Sequence, residues 1–214
     1  YSLNASNVNP TDELQSLSIS GDTLFISSGN WIILPSSTPT LLGCTDTSAF
    51  NYNPLANTDD YSCLVIGNYL FGGIIFWLDG NGGGLIAATS DQSTGAEWGC
   101  SGTLIGTSSA IGTGTQNTID IEAGCTTPNT AADICANLTL NGYSDWFLPS
   151  KDELNQMYLN IGQGNALGLG NIGWFAYNYY WSSTEGGNFS AWEQYFYVGF
   201  QYGISGKTNS YGVR

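Results

Sequence analysis

The residues that could move protons or hold metal ions are unevenly supplied in this chain of 214 residues. There are 17 Asp and Glu, only three basic residues (Lys151, Lys207 and Arg214) and no histidine. Without His the commonest general base is missing, and so are the Ser-His and Cys-His nucleophile pairs and most zinc sites. What remains is carboxylate chemistry. Asp46, Asp59 and Asp60 lie in an Asx-rich stretch between Cys44 and Cys63. Hard oxygen ligands of this kind could hold calcium, but the EF-hand pattern is absent and the same residues also serve as turn formers. Glu185 and Lys207 are either an acid and a base or a structural ion pair, and no second catalytic group accompanies them. The run Asp79-Gly80-Asn81-Gly82-Gly83-Gly84 has no following Lys-Ser/Thr and no helix start, so it is not a phosphate loop. No enzymatic activity is expected.

Charge narrows the partners further. A formal net charge of −14 repels phosphate backbones, so no nucleic-acid partner is expected. It also disfavours sulfated glycans and anionic membranes. No apolar run is long enough to span a membrane. The N-terminus has no charged region followed by an apolar core, so no signal peptide is expected within this chain. The chain has 29 Gly, is 14% aromatic and only 9% charged, which describes a folded, loop-rich protein with short strands rather than disorder. Five cysteines in a Ser/Thr/Asn-rich sequence imply an oxidising, extracellular setting. Cys44 and Cys63 are expected to pair, and closing a loop of that size contributes about 3 kcal/mol in the chain-entropy picture.

Three pieces must position these residues. Residues 1–40 contain Leu17-Ser18-Ile19-Ser20, Leu24-Phe25-Ile26-Ser27 and Trp31-Ile32-Ile33-Leu34, which read as strands, with a linker over Ser36 to Pro39. This piece is too small and too apolar to stand alone, so it serves assembly or docks as a hairpin. Residues 41–66 are the Asp/Asn-rich module stapled by Cys44 and Cys63. The remainder, 67–214, is the main domain. Tyr69 to Leu78 is a strand bent at Gly72-Gly73, and it returns through the glycine turn into Leu85 to Ala88. A long Gly/Ser/Thr loop runs from Trp98 to Asn117, and a helix follows over Pro128 to Leu138. A second helix covers residues 150–160. Ser150 and Glu153 form its capping box, Asp152 and Glu153 suit its positive end, and Leu154, Met157 and Tyr158 form its apolar face. The expected class is α+β: a twisted, mostly antiparallel sheet, two helices and long loops.

The C-terminal tail is rich in Tyr, Phe, Gly and Ser. This is the composition of a binding surface, with rigid aromatics for area and small residues for adaptable loops. Strand alternation puts Tyr195, Tyr197 and Gly199 on one face and Phe196, Val198 and Phe200 on the other, so the tyrosine face is the exposed one. The alternative is that these aromatics are simply core. Among the tryptophans, either Trp31 or Trp174 could be exposed, where it could stack on sugars or enter a neighbouring subunit.

One set of spaced motifs carries a resemblance. Gly72 to Trp77, Trp98-Gly99-Cys100, Gly114 with Asn117-Thr118, Gly142 to Leu154, Tyr180 to Glu185, Ala191-Trp192, Lys207 and Val213-Arg214 occur in that order. Over roughly residues 67 to 214 the chain resembles the Lcl C-terminal-like domain family. The resemblance implies a C-type-lectin-like fold, extracellular adhesion, and a last short apolar strand after Val213-Arg214. It favours a Cys100–Cys125 disulfide, with Cys125–Cys135 as the alternative. Similar domains occur in variable proteins of diversity-generating retroelements. By that analogy Asn188, Phe189, Ser190, Glu193, Tyr195, Tyr197, Tyr202, Ile204 and Ser205 would touch the ligand, between framework positions. The Glu-Pro-Asn and Gln-Pro-Asp calcium motifs of sugar-binding lectins are absent. Residues 43–63 look like a Cys-bounded repeat of secreted bacterial surface proteins, and the first strands resemble segments of trimeric fibre stalks. The implied protein is an adhesin or receptor-binding fibre tip, self-assembled as a homotrimer, whose ligand is a cell-surface protein or a neutral glycan. The alternative is a filament subunit joined by β-strand addition.

Overall fold

A computed structural model describes residues 16–20, 23–26, 30–33 and 39–214. The expected turn at Gly21-Asp22, the strand ends at Ser27 and Leu34, and most of the 36–39 linker lie outside the described residues. β1 (Leu17–Ser20), β2 (Thr23–Ile26) and β3 (Asn30–Ile33) form an antiparallel three-stranded sheet. Leu17, Ile19, Phe25, Trp31, Ile32 and Ile33 are all exposed on it. In the next piece β4 (Leu42–Gly43) and β5 (Thr58–Asp59) pair in parallel, and Cys44 is bonded to Cys63.

The main domain follows the α+β expectation. β6 (Tyr69–Leu70), β7 (Gly73–Leu78) and β8 (Gly84–Ala88) form an antiparallel sheet around the predicted glycine turn. The turn closes because the Asp79 carboxylate accepts hydrogen bonds from the backbone N–H groups of Asn81 and Gly83. β9 (Ser93–Glu97) leads into the long loop. The chain ends in β10 (Tyr179–Gly187), β11 (Ser190–Tyr195), β12 (Gln201–Gly206) and β13 (Ser210–Val213). These build a five-stranded sheet in the order β12-β11-β10-β13-β9, in which only the β10–β13 pair is parallel. β10 and β12 approach closely at two glycines. A Cβ on Gly186 would lie 1.8 Å from the Gly203 carbonyl oxygen, so no larger residue fits there.

The described residues hold three helices where two were expected. α1 (Gly114–Gly124) begins inside the stretch read as loop, while α2 (Ala131–Ala136) and α3 (Lys151–Ile161) are the predicted pair. α1 has no strong apolar stripe and no side-chain cap, so its sequence carries little helix signal. Tertiary polar contacts hold it instead. Asn117 is buried, accepts the Ser108 N–H at 2.8 Å, and donates to the Ser108 carbonyl at 2.7 Å and to the Ser183 hydroxyl at 3.0 Å. Thr118 accepts the Leu148 N–H. α3 is locally encoded: Ser150 and Glu153 make the expected reciprocal cap, and Leu154, Met157 and Ile161 are buried.

Two cores lie either side of the main sheet. One packs Trp98, Ile121, Ala131, Leu148, Trp181 and Val213, and it holds the expected Cys100–Cys125 disulfide beside the buried, unpaired Cys135. The other packs Ile74, Phe76, Leu154, Met157, Tyr180 and Phe196. Adjacent residues Tyr180 and Trp181 thus anchor opposite faces, as strand alternation requires.

The alternation expected through residue 200 stops earlier. β11 ends at Tyr195, and residues 196–198 turn, closed by the Tyr195 N–H donating to the Phe200 carbonyl and the Gly199 N–H to the Tyr195 carbonyl. Phe196 is buried as expected, but Val198 and Phe200, read as core, are exposed. They sit on a hairpin tip, where the period-two rule no longer assigns faces.

Candidate functional site

Glu185, at the end of β10, and Lys207, just after β12, meet at 2.5 Å, and both side chains are buried. The Glu185 carboxylate also accepts the Ile105 N–H at 2.9 Å and the Gly106 N–H at 2.6 Å. Lys207 donates to the Thr103 carbonyl at 2.8 Å, and its ammonium lies 4.4 Å from the centre of the Trp98 ring. Burial alone would raise the Glu185 pKa. The bonds from Lys207, Gly106 and Ile105 outweigh it and hold the carboxyl below the usual range. Both groups are therefore fully occupied in tying loop 101–113 to the sheet. Glu153 ties the same loop from the other side, accepting the Gly112 N–H at 2.7 Å as well as capping α3. These motif residues act as scaffold.

The tail is different. Phe189 at the β10–β11 turn is 69% exposed, Tyr197 59%, Phe200 63% and Ile204 87%, and Asn188 beside Phe189 is exposed too. Ser190, Tyr195 and Ser205 are half-buried. Rings stack inward from this rim. Tyr177 meets Tyr197 edge-on at 5.4 Å, Tyr197 lies 5.9 Å from Tyr195, Tyr195 stacks on Tyr179 at 4.4 Å, and Tyr179 reaches Tyr211 at 5.2 Å. Trp174 is a further exposed aromatic, and Trp31 is exposed as well.

Glu193 alone among the nine expected contact residues is buried, at 3% exposure. It pairs across β10 with Trp181 and across β12 with Tyr202. A bulge between these strands, where Ala191 faces Ser205 and Glu193 faces Tyr202, puts both Tyr202 and Ser205 on the Glu193 side. The Ser205 hydroxyl donates to Oε1 at 3.1 Å, whereas Oε2 has no hydrogen-bond partner. Burial pushes the Glu193 carboxyl up to about 7, against the pull of the Ser205 bond. Neither the bulge nor the missing donor leaves a trace in residue order, so the family analogy placed Glu193 among the contacts without setting it apart from the other eight.

The acidic module does not gather its carboxylates. Asp46 accepts the Ser48 N–H and hydroxyl, Asp59 the Tyr61 N–H, and Asp60 the Ser62 N–H, so each closes its own turn. Among the described residues no group of three or more His, Cys, Asp or Glu is placed to hold a metal ion. Cys135 is not a nucleophile in this setting, because burial and then the nearby Glu122 charge push its thiol up to about 12. A cleft of about 270 Å³ lies between β8 and residues 143–149, with Asp145 and Arg214 its only charged lining groups. Arg214 is already paired with Asp91 at 2.9 Å. No helix among the described residues is long and apolar enough to cross a membrane.

A comparison with curated proteins finds no match. Residues 87–214, more than half of the chain and including α1 to α3 and the whole five-stranded sheet, match the Lcl C-terminal domain. The spaced motifs that carried the resemblance are the residues that cap α3, pin the long loop and fill the two cores, and on this evidence the chain belongs to the Lcl C-terminal domain family.

Proposed function

We propose that the protein is an extracellular, non-enzymatic adhesin or receptor-binding fibre-tip protein, with a C-type-lectin-like domain that displays its ligand surface on the tail. The observation that carries this reading is the set of exposed apolar side chains along the β11–β12 hairpin: Phe189 at one end, Tyr197 and Phe200 at the other, and Tyr202 and Ile204 on the edge strand β12. Exposed aromatics on a rigid sheet are what partner surfaces use. The two disulfides fit an oxidising compartment. The ligand is a cell-surface protein or a neutral glycan, since the charge of −14 disfavours polyanions. The test is attachment of the full chain to cell surfaces and to a neutral-glycan array, against a variant carrying Phe189→Ser, Tyr197→Ser, Phe200→Ser and Ile204→Ser. Loss of attachment with an unchanged melting temperature is the expected result. Equal attachment by both proteins removes the tail from the reading.

Assembly rests on the β1–β3 sheet, where Leu17, Ile19, Phe25, Trp31, Ile32 and Ile33 are exposed and Leu24 is half-buried. Such a sheet needs cover, and further copies of the chain in a closed trimer would supply it. The second reading, a filament subunit joined by strand addition through this segment, draws on the same exposure. Light scattering and negative-stain microscopy of the full chain and of a chain lacking residues 1–40 separate the two. A discrete trimer that becomes monomeric on truncation supports the fibre tip, long polymers that vanish support the filament, and a monomer in both forms removes assembly.

A further inference from the structure

Glu193 is the one buried carboxylate in the five-stranded sheet with an oxygen that has no hydrogen-bond partner. It is 97% buried, holds one hydroxyl bond from Ser205 and leaves Oε2 without a donor. Folding alone gains nothing from a carboxylate here, since a glutamine would accept the same Ser205 bond without a buried charge. Its surroundings are aromatic. Trp181 and Tyr202 flank it across the neighbouring strands, Tyr195 follows two residues on along the same face, and Tyr179 stacks on Tyr195. Tyr202 lies on β12, the edge strand of the sheet, and is 40% exposed, so it forms the outer wall.

Three features select one ligand class. An unpaired carboxylate oxygen calls for an N–H donor with positive charge, aromatic faces attract cations, and an overall charge of −14 draws cations toward the domain. A neutral sugar could stack on the tyrosines but would leave the buried charge uncompensated. We propose that Glu193, with Tyr179, Tyr195 and Tyr202 around it, binds the ammonium or guanidinium group of a lysine or arginine side chain on a partner protein, entering as the Tyr202 ring turns aside. The proposal rests on reading the tail as the ligand surface, and it names what that surface recognises.

The experiment titrates the full chain with Nα-acetyl-lysinamide and Nα-acetyl-argininamide, with Nα-acetyl-norleucinamide and lactose as neutral probes, and follows backbone amide NMR shifts. Both cations are expected to move residues 193–195 and 202–205, and norleucinamide is not. Glu193→Gln, which preserves shape, weakens cation binding about tenfold. Tyr202→Ser, at an exposed edge position, also weakens it and keeps the carboxylate, so a folding defect in one variant leaves the other to decide. Equal cation binding by wild type and Glu193→Gln overturns the proposal. So does an absence of cation-induced shifts, or shifts from lactose alone. If the cations fail while the fourfold tail variant still loses attachment, the cation site falls and the adhesive tail stands. If the cations bind through Glu193 while that variant attaches like the wild type, the site stands and the adhesive tail falls.

Discussion

Glu185 and Glu193 sit on neighbouring strands of one sheet and are both buried, yet the fold treats them oppositely. Glu185 receives a lysine and two backbone N–H groups, and its carboxyl is held below the ordinary range. Glu193 receives one serine hydroxyl and is pushed up to about 7. Around Glu185 the sheet ties down a long loop, and around Glu193 it presents aromatic side chains. A buried carboxylate is thus no marker of function in itself. The number of donors that reach it separates a structural lock from a candidate site.

The contrast can be broken most severely at the lock. Lys207→Met leaves Glu185 buried without its cation, and a loss of about 3 kcal/mol in urea unfolding is expected. A loss under about 1 kcal/mol would mean the backbone donors alone suffice. Combining Glu185→Leu with Lys207→Met should recover most of that loss, because a matched apolar pair replaces a buried ion pair at little net cost.

The two acids then predict opposite pH responses. Glu185 has a depressed folded pKa, so its contribution is present above the ordinary carboxyl value of 4.5 and is lost as pH falls through the lower folded value. Glu193 has a raised folded pKa, so its ionisation penalty is absent below 4.5, grows as pH rises from there to about 7, and is complete above that. Glu193→Gln should therefore stabilise the protein at pH 8 by about 1–2 kcal/mol and leave its stability unchanged at pH 4. A Glu193→Gln variant less stable than wild type at pH 8 would show that the carboxylate has a hidden donor. The smallest effects belong to the rim. Ile204→Ser and Tyr197→Ser should each leave stability within about 0.5 kcal/mol by thermal melting, since both side chains are mostly exposed. A larger loss in either would mean that the rim is part of the core.

What the sequence made legible was local or pairwise with a short memory. The capping box at Ser150 and Glu153, the hairpin over Gly73 to Ala88 and the strands at 17–20 and 30–33 are written within a few residues of themselves. α1 was hidden because Asn117 and Thr118 are poor helix formers, held by partners up to 66 residues away. Val198 and Phe200 were misplaced because a turn ended the strand that was supposed to sort them.

By itself, then, the sequence determined the α+β class, the Cys44–Cys63 staple, the absence of histidine chemistry and the aromatic richness of the tail, since composition and short-range geometry need no folded context. Tertiary structure decided that Glu185 and Lys207 form the structural ion pair rather than an acid and a base, and that nothing meets Glu193 Oε2. Hydrogen-bond supply and desolvation are properties of a place, and the place forms only when distant strands, a bulge and a pinned loop come together.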